Sequence, residues 1–191
     1  MTGYLTNRGK GINGGILLGI PNREVRNIFE KQIKVWFNQK IRQDVPKLDA
    51  FCQAFVNGDS KNIEKIFNFY LQSTISVRDT HTPIAKKENF YHGILLGLLR
   101  HRGDWTIKSN IESGDGYSDI ILEMLDGSLG VIIEVKYAEN GKFSSALDEG
   151  MNQINEKNYV ELLKSHSVGR IFKFAVACYI KRCQIRFEED V

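Results

Sequence analysis

No apolar run in this 191-residue chain approaches the roughly 20 residues that a membrane-spanning helix needs. The opening MTGYLTNRGKG has no apolar centre of the secretory kind, so the expected setting is cytoplasmic, with no membrane partner. Cysteine is scarce. Three of them (Cys52, Cys178 and Cys183), an odd number without CxxC spacing, argue against a disulfide framework and for reduced thiols. His81, His92, His101 and His166 have no metal spacing with those cysteines, which argues against zinc. The glycines of NRGKGINGG lack the GxxxxGK[ST] order of a phosphate loop and read as a flexible hairpin turn. No GxSxG is present to mark a serine nucleophile. Internal repeats and low-complexity tracts are missing as well. A solid basic block is also lacking: the net charge is only +3, which permits a polyanionic partner without calling for one.

What remains is the composition of an ordinary globular protein, with 42% apolar and 26% charged residues, enough for a sizeable core without metal or disulfide staples. Tyr4–Thr6 and Ile16–Ile20 read as short strands around the glycine-rich turn. Pro21-Asn22 opens a helix carrying Val25, Ile28, Phe29, Ile33, Trp36 and Phe37 on one stripe. Leu48, Phe51 and Phe55 mark a second helix ending near Asn57-Gly58, and Asp59-Ser60 caps a third. Ser76 to Thr82 is a polar connection. A helix over 84–100 follows, then strands over 105–112, 117–125 and 129–138, the last two joined by the Asp126-Gly127-Ser128 turn. A long helix over 143–165 and strands over 171–179 and 184–188 complete the pattern, with a turn at Lys181-Arg182. The order is α-β-β-β-α-β-β, an α/β protein with a mixed sheet and helices against it, preceded by a mostly helical subdomain with a small hairpin over 1–76.

Two neighbouring strands hold the residues suited to chemistry. GYSDIILEML puts Asp119 at the head of one; VIIEVKYAE puts Glu134 and Lys136 two apart on the other. Side chains alternate across a strand, so Glu134 and Lys136 share a face, while Val131, Ile133, Val135 and Tyr137 take the other. Asp119 precedes Glu134 by fifteen positions, a separation that a hairpin through Asp126-Gly127 can close. Paired carboxylates are hard oxygen ligands for Mg²⁺, and an adjacent lysine can orient or deprotonate a water or stabilise charge on a phosphorane. Glu88 adds a third acid, stepping with His92, Leu95 and Leu99 along one helix face, where it can serve as a metal or water ligand. From the spacing alone, a solvated strand face with a surface ion pair explains Glu134 and Lys136, and a first-turn helix acid explains Glu88.

The ordered set of Glu88, Asp119 in GYSD, Glu134-Val135-Lys136 and Gln153 resembles the PD-(D/E)XK nuclease superfamily. LGIPNREVR (Leu18 to Arg26) and QINEKNY (Gln153 to Tyr159) resemble segments of bacterial proteins in which such a nuclease domain follows an AAA-type ATPase half. The similarity covers nearly the whole chain. It implies a restriction-endonuclease-like fold, with residues 77–191 as the nuclease core. It also implies a divalent cation, Mg²⁺ or Mn²⁺, held by Asp119 and Glu134, Lys136 as the catalytic lysine, and Glu88 and Gln153 in support. Serine rather than proline precedes Asp119, and no Walker A motif is present, so the ATPase half is not part of this chain. The expectation is a metal-dependent nuclease acting on nucleic acid, chiefly DNA. An ATPase domain or partner and a homodimer are further associations that the resemblance and the fold suggest. The rival is a catalytically silent nucleic-acid-binding or protein-interaction module that keeps the fold.

Overall fold

The computed structural model describes residues 6–10, 16–19, 44–74, 84–109, 119–157 and 159–190. The helix expected after Pro21 and the polar connection over 76–82 lie outside them. The chain divides into two compact units, Met1–Asp44 and Val45–Val191. In the first, strands β1 (Thr6–Lys10) and β2 (Ile16–Gly19) pair antiparallel as a hairpin.

The larger unit begins with helix α1 (Val45–Val56), whose Leu48, Phe51, Cys52 and Phe55 recur at helical steps and are all buried. Gly58 ends this region at φ +69°, and a β-carbon there would meet the Phe187 ring at 2.8 Å, so both backbone and space demand glycine. Asp59 Oδ1 accepts the Asn62 backbone N–H at 3.1 Å, capping helix α2 (Ser60–Thr74). Helix α3 (Ile84–Leu99) buries Tyr91, Leu95, Leu98 and Leu99. Residues 45–74, grouped with the hairpin in the sequence reading, belong to the same unit as the sheet, because α2 fastens to the sheet's last strand. Asn68 bonds both the N–H and the C=O of Cys183, and Glu64 accepts the N–H of Ile185.

The sheet has five strands in the order β3-β4-β5-β6-β7: β3 (Trp105–Ser109), β4 (Asp119–Met124), β5 (Leu129–Tyr137), β6 (Arg170–Tyr179) and β7 (Arg182–Asp190). Only β5 and β6 run parallel, and the crossover between them carries helices α4 (Phe143–Glu156) and α5 (Tyr159–Ser165). The β4–β5 turn is tied by Asp126 Oδ1, which accepts the Ser128 backbone N–H at 2.9 Å and its hydroxyl at 2.6 Å. One sheet face packs Ile121, Ile132 and Ala175 against Ala146, Met151 and Ile154 of α4 and Leu163 of α5. On the other, Phe55 of α1 meets Phe174 edge-on at 5.1 Å and Tyr91 of α3 stacks on Tyr137.

Two further expectations need correcting. The single helix over 143–165 is two helices, because Lys157 is extended (φ −86°, ψ 135°) and its N–H closes on Gln153 O. The turn before β7 is Ile180-Lys181, one residue earlier than expected, with Ile180 at φ 53° and β7 starting at Arg182. The alternative of a solvated face on β5 is ruled out as well: eight of its nine residues are buried, because helices cover both faces.

Candidate active site

Strand pairing does the first part of the assembly. Antiparallel register sets Asp119 of β4 opposite Glu134 of β5 at the backbone; the side chain of Asp119 lies outside the described residues. Alternation along β5 turns Glu134 and Lys136 toward α4. Gly150 then lets α4 come close: a β-carbon on it would lie 3.2 Å from Ala175 Cβ, 3.4 Å from Lys136 Cγ and 3.6 Å from Glu134 Cγ. Glycine costs about 1 kcal/mol in a helix interior relative to alanine, and the close approach is the compensation.

Next to that contact, Glu149 and Gln153 stand four residues apart on α4, one helical turn. The Lys136 ammonium donates a short hydrogen bond to Gln153 Oε1. It also lies 3.3 Å from Glu134 Oε1 and 3.4 Å from Glu149 Oε1. The contact with Glu134 is one of charge only, since among the described residues neither carboxylate oxygen of Glu134 has a hydrogen-bond partner. Glu134 is completely buried and Lys136 only 8% exposed. A surface ion pair, the simplest alternative from sequence, is thereby excluded. The gross attraction at 3.3 Å is about 5 kcal/mol for an effective dielectric of 20. Removing the two ions from water costs several kcal/mol each, so the pair does not by itself explain why a carboxylate is buried here without hydrogen bonds.

A buried carboxylate whose oxygens accept no hydrogen bond among the described residues is a hard donor of the kind Mg²⁺ and Mn²⁺ accept, and so it fits a divalent cation. Among the described residues no group of three or more His, Cys, Asp or Glu side chains forms a metal-binding cluster.

Glu88 comes from the opposite face. Its Oε1 accepts the backbone N–H of Tyr137 at 3.1 Å, so α3 holds the end of β5 one residue beyond Lys136. His92, a turn further along, is buried with Nε2 3.4 Å from Ser109 Oγ. Of the residues singled out from sequence, Glu134, Lys136 and Gln153 meet directly, Glu88 grips the adjoining backbone, and Asp119 is in register with Glu134. Sequence reasoning missed Glu149 and Gly150. Their signals were present: a glycine inside an amphipathic helix, and an acid four residues before Gln153.

The sequence model of the PD-(D/E)XK nuclease superfamily matches residues 86–188, more than half of the chain. The protein belongs to that superfamily, and its five-stranded mixed sheet flanked by helices is restriction-endonuclease-like. All five residues singled out from sequence fall within the matched span. No curated protein and no solved structure matches the chain. Membership of this superfamily supports a nuclease-type function. Among the described residues no helix is long and apolar enough to cross a membrane.

Proposed function

We propose that the protein is a divalent-metal-dependent nuclease that hydrolyses phosphodiester bonds in DNA. The observation that carries this reading is the buried Glu134 carboxylate, without a hydrogen bond among the described residues and beside a lysine that is itself held by Gln153. Asp119 and Glu134 would hold Mg²⁺ or Mn²⁺, with Glu88 as a further acidic ligand. When bound, such an ion offsets phosphate charge and makes a bound water a stronger nucleophile.

The chain's own groups do the rest. Lys136 presents its ammonium to the attacking water or to a non-bridging phosphate oxygen, where charge grows as the bond to phosphorus forms. Gln153 fixes the lysine side chain, leaving less orientational freedom to lose in the transition state. Through the Tyr137 N–H, Glu88 also sets the end of the strand that carries both reactive side chains. Strands hold such a constellation more rigidly than loops. An ATPase domain or partner is the companion that the Leu18 to Arg26 segment suggests.

The test is incubation of circular and linear DNA with the protein in Mg²⁺ or Mn²⁺, with EDTA and Lys136→Ala as controls. Cleavage should vanish in EDTA and fall at least about 100-fold in the variant. Equal cleavage by the variant refutes the proposed site. DNA binding without cleavage in either metal instead supports the silent module.

A further inference from the structure

Glu149 has no part in the roles above, yet its carboxylate lies 3.4 Å from the amine of Lys136. An ammonium has three N–H donors, and oxygens of three side chains, Gln153, Glu134 and Glu149, surround this one. Gln153 accepts a hydrogen bond from it and the two carboxylates pair with it by charge, so a phosphate reaches the amine only by taking the place of one of them. One neighbour has to yield. Glu134 is fixed on a central strand with a fully buried side chain, whereas the Glu149 side chain is 69% exposed on the outer turn of α4. Ion pairs with a solvated partner are worth about 0.2–1 kcal/mol, so Glu149 is the contact given up at least cost. Its position has a further consequence. A carboxylate at the entrance to a phosphate site repels an anionic substrate, and leaving the lysine is what relieves that repulsion.

We infer that Glu149 is a releasable latch on Lys136: it occupies the amine in the free protein and gives way when a phosphate group of a nucleic acid takes its place. The inference rests on the nuclease reading for the identity of the ligand, but not for the contact itself. The latch also discriminates. A ligand with one weakly placed charge gains little by displacing it, while a phosphodiester backbone brings several charges at once.

Two measurements test the latch using the full chain and Glu149→Gln, a substitution at an exposed position. The first is the dissociation constant of a short DNA duplex in EDTA, where cleavage does not interfere. It should fall about fivefold at low salt in the variant, and the two proteins should converge to within about twofold at 0.5 M salt. The second is the rate at which an amine-reactive ester acylates Lys136, followed by peptide mass spectrometry. Removing the latch should raise that rate several-fold, and added DNA should suppress it. Unchanged affinity together with unchanged acylation overturns the latch. So does a fall in kcat with affinity unaltered, which makes Glu149 a positioning residue. If Lys136 acylation accelerates but neither protein cleaves DNA in any divalent metal, the latch stands and the nuclease reading fails.

Discussion

Replacing Lys136 with methionine keeps most of the side chain's volume and removes its charge, leaving Glu134 as a buried carboxylate with no hydrogen bond and no cation beside it. Glu134 is 0% exposed, and the Lys136 ammonium sits 3.3 Å from its Oε1. Removing one partner of a buried pair costs roughly 3–5 kcal/mol, because the surviving charge stays desolvated and uncompensated. In a domain of this size that corresponds to a fall in Tm on the order of 10 °C. The double variant Glu134→Gln with Lys136→Met has no buried charge at this pair and should recover most of the loss. Urea unfolding followed by circular dichroism measures all three proteins in EDTA, and again with Mn²⁺. Bound metal should compensate the orphaned carboxylate, so Mn²⁺ should stabilise Lys136→Met more than the unmodified protein. If Lys136→Met unfolds within about 1 kcal/mol of the parent in EDTA, the buried charge is not the energetic liability inferred from its surroundings.

Other outcomes follow from the same geometry. Gly150→Val forces methyl groups between α4 and the sheet, where even a lone β-carbon would lie 3.2 Å from Ala175 Cβ; urea unfolding should show a loss of roughly 1–3 kcal/mol, with DNA cleavage impaired as Gln153 moves away from Lys136. Asp190 is held below the ordinary carboxylate value of 3.8, first by the Lys164 hydrogen bond and then by charge, with Lys173 adding to both. A depressed carboxylate stabilises the fold above about pH 4 and loses that contribution as pH falls through its lower folded value. The stability difference between the parent and Asp190→Asn should therefore be constant near neutrality and vanish at low pH, as followed by urea midpoints. All three cysteines are buried, and burial pushes the Cys52 thiol up to about 12 and raises Cys178 and Cys183 as well. None should react with a thiol reagent in the native protein, and all three should react in urea; rapid native labelling of any one contradicts this packing.

Much of the fold is legible in sequence because local rules and tertiary packing agree. Asp126-Gly127-Ser128 forms the expected turn, with the Asp126 side chain bonding Ser128 as such a turn requires. That turn brings Asp119 into register with Glu134. Leu48, Phe51 and Phe55 of α1, and Leu95 and Leu99 of α3, are buried as their helical spacing predicts. Alternation correctly put Glu134 and Lys136 on one face of β5, but alternation says nothing about what covers a face. The cover is α4, admitted by Gly150, and this is a pairing of elements far apart in sequence. For the same reason the four-residue step from Glu149 to Gln153 marks a shared helix face without giving Glu149 a role in the site. An exposed helical glutamate gains a role only through its distance from a lysine on another element. The break at Lys157 also escaped, since no proline or glycine marks it and a single extended residue is enough to end the helix.

Glu134 is assigned above all the holding of a divalent cation, and calorimetric titration of the metal-free protein with Mn²⁺ addresses that directly. The unmodified protein should bind with a defined stoichiometry, and Glu134→Gln and Asp119→Ala should each lose that binding while remaining folded. Undiminished Mn²⁺ binding by folded Glu134→Gln would contradict the assignment of this carboxylate as a metal ligand.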